Sequence, residues 1–131
     1  MVRIILILLM HAAGDFVLQG SVLSKLKAYK TAYLFAHVGI YTTFFLVLSP
    51  VFLGLSYIQS LQFSLLNGGA HLIVDFVTSK LKKLYWEKKN ENAFVAVISF
   101  DHITHLTCLF TSYILMFPVV FENSKNLYYF I

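Results

Sequence analysis

Four stretches of the chain are apolar over lengths that matter to a membrane: residues 4–19, 31–49, 60–79 and 93–120. A helix needs ~20 residues to cross a bilayer, range about 17–25. Lipid offers no water to an open backbone, so stretches of this length read as helices rather than isolated strands. Pro50 is expected to stop the second helix, and the uncharged connection over residues 50–59 to turn tightly at the interface, with or without a short dipping helix. Asn67-Gly68-Gly69 predicts a kink in the third helix or the close approach of another. Tyr128, Tyr129 and Phe130 in the tail suit an interfacial anchor. The expected fold is all-α: a single transmembrane domain over residues 1–131, arranged as an integral membrane four-helix bundle.

Composition narrows the class further. Of 131 residues, 59% are apolar, 17% aromatic and only 12% charged, about half the ~25% charged residues of a soluble domain. Mean hydropathy is +0.76. A chain this short cannot hide so much apolar surface in a water-facing core, which excludes a soluble globule. A disordered chain is excluded by the same figures, and a disulfide scaffold by the single cysteine, Cys108. A signal peptide with Arg3 and residues 4–10 is disfavoured, because His11 stands where a small residue is wanted.

Charge gives the expected topology. Lys25, Lys27 and Lys30 follow the first stretch; Lys80, Lys82, Lys83, Lys88 and Lys89 follow the third; Arg3 and Lys125 stand apart. The positive-inside bias puts both basic segments in the cytoplasm and both termini outside. Membrane lipids are the expected partners, since basic segments attract anionic head groups. A homo-oligomer is compatible with the sequence, and no nucleic acid is expected.

Three of the six acidic residues, Asp15, Asp75 and Asp101, fall inside the apolar stretches, where no Lys or Arg accompanies them. An Asp at a helix centre costs about 2.5–3.5 kcal/mol on insertion scales. Such groups must be protonated, reach water and the lysines of the loops, or hold a cation. A histidine stands four residues from each: His11 with Asp15, His71 with Asp75, and His105 with Asp101. That spacing puts both side chains on one helix face. His37 lies on the remaining stretch, one turn from Tyr41. The order His-before-Asp reverses in the last stretch, as alternating helix direction requires if all four helices present one histidine layer and one aspartate layer to a common point. Each aspartate is then nearer the basic end, with its histidine one turn deeper.

Neutral imidazole and carboxylate together suit zinc, with manganese or iron(II) next, and the lack of clustered cysteines argues against a thiolate site. His11, Asp15, His37, His71, Asp75 and His105 are the candidate metal ligands, with Asp101 as catalytic base or further ligand. These seven exceed what one tetrahedral ion takes, so one or two divalent ions are expected. His102 points about 100° away from Asp101 on an ideal helix, and Cys108 reads as packing.

The run His11-Ala-Ala-Gly14-Asp15-Phe16-Val-Leu18-Gln19, then His37 with Tyr41, His71-x-x-x-Asp75 and Asp101-x-x-x-His105, resembles the small bacterial membrane proteins grouped as domain of unknown function 3307. The resemblance covers nearly the whole chain, and the Gly-Asp-Phe-x-Leu-Gln block is its most specific part. His102 departs from it, since the family shows Gln after the last Asp. The resemblance implies a multi-pass protein of the bacterial cytoplasmic membrane with a shared polar site. The His/Asp pattern is more loosely similar to membrane-bound metal-dependent hydrolases.

Three functions fit these residues. In the first, a metal-dependent hydrolase at the cytoplasmic leaflet activates water toward a phosphoester or lipid head group, with Gln19 and Tyr41 orienting substrate or making structural bonds. No Gly-x-Ser-x-Gly or Cys–His nucleophile pattern is present. In the second, the same residues carry protons or metal ions across the membrane, although the outer halves of the helices are poor in ionisable groups. In the third, the polar network only fixes helix packing in a scaffold or accessory subunit.

Overall fold

The computed structural model describes residues 2–116, and every element in it is helical. Helix α1 (Val2–Ala12) runs into a π-helical turn (Ala13–Val17), then α2 (Gly20–Leu26), α3 (Thr31–Leu53), α4 (Tyr57–Glu87) and α5 (Glu91–Met116). The all-α expectation holds for these residues. The aromatic tail and residues 117–120 of the fourth stretch lie outside them.

Helices α3 and α5 are long and apolar enough to cross a membrane. Both turn apolar side chains outward, among them Phe35, Val47 and Val51 on α3 and Ile103, Ile114 and Leu115 on α5. Their polar residues His37, Asp101, His105 and Ser112 are buried instead, the inverse of a water-facing protein.

The first and third stretches depart from four simple spans. The first is not one straight helix: after the π turn the chain bends by 78° into α2. Gly20 supports the bend at φ +61, a backbone conformation that glycine adopts without steric cost. The third stretch belongs to α4, which continues for 31 residues. Its Gln59, Ser60, Gln62, Ser64, Asn67, His71 and Asp75 dilute its apolar content, and it is not among the helices long and apolar enough to span by themselves.

Pro50 does not end α3. The helix passes through it and stops at Leu53, where Gly54 takes a left-handed conformation and donates its N–H to the Ser49 carbonyl. A proline one turn from a helix end forfeits a single ladder bond, and the glycine after it makes the better terminator. Helix α4 then starts on a reciprocal cap: Ser56 Oγ accepts from the Gln59 N–H, and Gln59 Oε1 accepts from the Ser56 N–H. The connection is accordingly the tight turn expected.

Of the two readings of Asn67-Gly68-Gly69, close approach is the one observed. α4 is continuous there. A methyl group on Gly68 would overlap the Thr42 hydroxyl of α3, while one on Gly69 would meet open space. Asn67 binds α4 to α5: its Nδ2 donates to Ser112 Oγ at 2.9 Å, and Ser112 Oγ lies 3.0 Å from Asn67 Oδ1. Helix α4 packs against both α3 and α5, and α1 closes over the same two helices. An apolar core of Ile7, Met10, Phe45, Phe63, Leu109 and Tyr113 fills one part of the interior. The histidines and aspartates occupy the part toward the lysines.

Candidate metal centre

The π turn sets the site's first residue. It inserts one residue into the helical repeat and closes with the Leu18 N–H on the Ala13 carbonyl at 3.0 Å, an irregularity that recurs at functional sites. Gly14 lets this turn approach Tyr41, since a methyl there would stand 3.0 Å from its ring. Asp15 thereby points at α3 and α4 rather than back along α1. Its Oδ1 lies 3.2 Å from His37 Nε2 and 3.4 Å from His71 Nε2. The His11–Asp15 pair expected from i, i+4 spacing is replaced by this cross-helix arrangement.

His37 and His71 meet edge to edge, Nε2 to Nε2 at 2.8 Å. Asp75 Oδ2 completes the group, 3.3 Å from His37 and 3.5 Å from His71. One atom from each of Asp15, His37, His71 and Asp75 thus lies within 4.8 Å of the others, and all four residues are buried. Asp75 Oδ1 faces the other way, 3.5 Å from His105 Nε2, which is also 3.5 Å from Asp101 Oδ1. Asp75, Asp101 and His105 form a second such group, so the Asp75 carboxylate is shared by both.

These buried groups could hold a metal ion. Ligands 2.0–2.1 Å from a tetrahedral ion lie about 3.3 Å from one another, and four of the donor separations in the first group are 3.2, 3.3, 3.4 and 3.5 Å.

His11 belongs to neither group. Its Nδ1 is 3.1 Å from the Tyr41 hydroxyl, and its ring lies 5.7 Å from His105 and 6.2 Å from His71 between centroids. Tyr41 in turn stacks on His71 at 4.2 Å. The expected histidine layer therefore exists, with His11 at its apolar margin. His102 lies outside it, bonded to the Ile98 carbonyl and stacked on Phe16.

Three participants, Lys27, Thr78 and Lys82, were not among the expected site residues. Lys27 folds back beneath the bend and donates to Asp75 Oδ2 at 2.6 Å, with both side chains buried. Of the alternatives expected for a buried aspartate, Asp75 thus reaches a loop lysine, one that counting charges within each stretch could not identify. Gln19, with its amide turned to satisfy both neighbours, accepts from Lys27 Nζ and donates to the Asp15 carbonyl. Lys82 Nζ binds Asp101 Oδ2 at 2.9 Å, and the Thr78 hydroxyl donates to Asp101 Oδ1 at 2.5 Å. Thr78 and Lys82 continue the stripe of His71 and Asp75 by three and four residues, a signal present in the sequence. Lys27 has no such signature.

Both basic segments meet at this end of the molecule, where Lys83 Nζ sits 3.9 Å over the Tyr29 ring. No curated protein and no solved structure matches the chain. The family model described as Protein of unknown function (DUF3307) does match, over residues 4–130, and the protein belongs to that family.

Proposed function

We propose that the protein is an integral membrane metalloprotein whose ion, bound by Asp15, His37, His71 and Asp75, activates water for hydrolysis near the lysine-rich end of the helices. The single observation that carries this reading is the clustering of four buried donor atoms within 4.8 Å of one another, with four of their separations between 3.2 and 3.5 Å. The nitrogen–oxygen donor set and that spacing favour zinc over manganese or iron(II). Asp75 would bridge to a second ion held by His105 and Asp101, as carboxylates do in two-metal helical sites. Asp101 is the proposed catalytic residue. Because Thr78 and Lys82 already bind its oxygens, it is better suited to hold an ion and its water than to take a proton outright. His11 Nε2 is buried without a hydrogen-bond partner and is the reserve ligand. On the positive-inside rule the lysine-rich end faces the cytoplasm of a bacterial inner membrane.

The apolar core supports a site over a transport path. Tyr41 caps His71, and beyond it Phe45, Phe63 and Leu109 are almost wholly buried. Asp15 Oδ1, Asp75 Oδ1 and His105 Nε2, which face the two donor groups, are buried without hydrogen-bond partners; this weighs against a purely structural network, where each such atom costs about 1–3 kcal/mol.

Protein purified without a histidine tag should carry one or two equivalents of metal by elemental analysis. It should release nitrophenol from nitrophenyl phosphate in a chelator-sensitive way. His37→Ala with His71→Ala should abolish metal retention. Full helical content with no metal bound, even after incubation with zinc, manganese or iron(II), would overturn the proposal.

A further inference from the structure

Above the two carboxylates the molecule opens into a cleft of about 720 Å³. Its floor includes Asp15 and Asp101; none of His11, His37, His71 and His105 lines it, so it meets the candidate centre from the aspartate side. Four lysines, Lys25, Lys27, Lys82 and Lys83, line it against those two aspartates. Lys27 and Lys82 are held by Asp75 and Asp101. Lys25 makes no ion pair among the described residues, and Lys83 only a long one, 3.9 Å, to Glu87 outside the cleft. The cleft therefore presents net positive charge on the aspartate side of the candidate centre.

The remaining wall is aromatic. Phe16 is stacked on His102, and Trp86 packs on Phe94 with ring centroids 5.4 Å apart. Phe16 and Trp86 are largely exposed. Tyr29 also lines the cleft, but Lys83 covers its face, so it does not offer that face to a quaternary ammonium group. Cationic side chains beside exposed aromatics at the end of apolar helices are what an anionic head group and its hydrocarbon chain meet at a membrane surface.

We propose that this cleft binds a membrane amphiphile with a phosphate-monoester head. Lys25 and Lys83 take the phosphate over the Asp15 and Asp101 carboxylates, which would help to hold the proposed metal, and Phe16, Trp86 and Phe94 support the first part of the chain. The assignment of the reacting group rests on the metal centre proposed above; the binding site itself rests on charge and aromatic lining.

Trp86 is the only tryptophan in the sequence, so it reports binding directly. In a neutral maltoside micelle, dodecyl phosphate should change Trp86 fluorescence saturably. Dodecylphosphocholine, with the same chain and no net charge, and inorganic phosphate, with the charge and no chain, should each bind at least about tenfold more weakly. Lys25→Gln with Lys83→Gln should weaken dodecyl phosphate by on the order of thirtyfold with helical content unchanged. No saturable response, equal binding of dodecylphosphocholine, equal binding of inorganic phosphate, or indifference to the lysine substitutions would each overturn the proposal. Metal content measured on the same samples separates the two proposals. Loaded protein that ignores dodecyl phosphate overturns the cleft alone, and protein that binds it but takes up no metal even after incubation with zinc, manganese or iron(II) overturns the centre alone.

Discussion

Lys27→Met offers the sharpest perturbation of the site. The ammonium is 2.6 Å from Asp75 Oδ2, and the two side chains are 5% and 0% exposed, so neither charge has water to fall back on. Removing one partner of a buried pair typically costs about 3–5 kcal/mol, because the other is left uncompensated. For a chain of this length that corresponds to a fall in Tm of roughly 10–15 °C. A divalent ion beside Asp75 supplies the missing positive charge. At a hundredfold excess over Kd it adds about 2.7 kcal/mol, enough to return most of the loss. Thermal unfolding in detergent, followed by circular dichroism with chelator and then with zinc, measures both effects. The double variant Lys27→Met/Asp75→Asn removes both charges and should lie within about 1 kcal/mol of the wild type, with no response to zinc. A Lys27→Met protein as stable as the wild type in chelator would show that the pair contributes nothing. A destabilised variant that zinc leaves unchanged would remove the ion from Asp75.

Two further substitutions test how the helices are held. Gly68→Val should cost about 1–3 kcal/mol through overlap with Thr42, whereas Gly69→Ala should be neutral or slightly stabilising, since a methyl there meets nothing; equal effects in a thermal melt would refute the close approach of α3 and α4. Asn67→Leu should cost about 0.6–1.7 kcal/mol by breaking the reciprocal bond to Ser112, and a Ser112→Ala background should absorb that loss in a double-mutant cycle.

What the sequence made legible was local periodicity. Spacing of four residues put His71 with Asp75 and Asp101 with His105, and both pairs are close in the structure, at 3.5 Å. The polar residues of the π turn, α3, α4 and α5 do lie close together, with the reversed order in the last helix matching its direction. Regular periodicity misled where the helix itself is irregular. The π turn at Ala13–Val17 rotates Asp15 away from the partner that α-helical spacing assigns it, toward His37 and His71. Nothing in Ala-Gly-Asp-Phe-Val demands a five-residue repeat; Gly14 merely permits the approach to Tyr41. Lys27 was hidden for a related reason. Its contact with Asp75 depends on a 78° bend that joins two segments 48 residues apart in sequence. The Ser56-x-x-Gln59 cap, by contrast, stood in the sequence as a recognisable helix start and would have placed the beginning of α4.

The position of Lys27 changes what Asp75 can be. In the sequence the aspartate had no cation within its own stretch, so a proton, an ion or contact with water and the loop lysines had to account for its burial. In the structure a lysine already neutralises one lone pair of Oδ2, and His37 and His71 share what remains of that oxygen's surroundings while Oδ1 turns to His105. One carboxylate is therefore common to a four-donor group and a three-donor group. A residue needed only to pair with lysine would not require three imidazole nitrogens around it, and a residue needed only to bind an ion would not require a lysine. On the metal reading proposed above, the lysine would hold the Asp75 carboxylate between the two donor groups with or without an ion. The buried pair ties the segment after the bend to α4, and the open face on the side of Asp15 and Asp101 is the direction from which the proposed ion or a substrate oxygen would arrive.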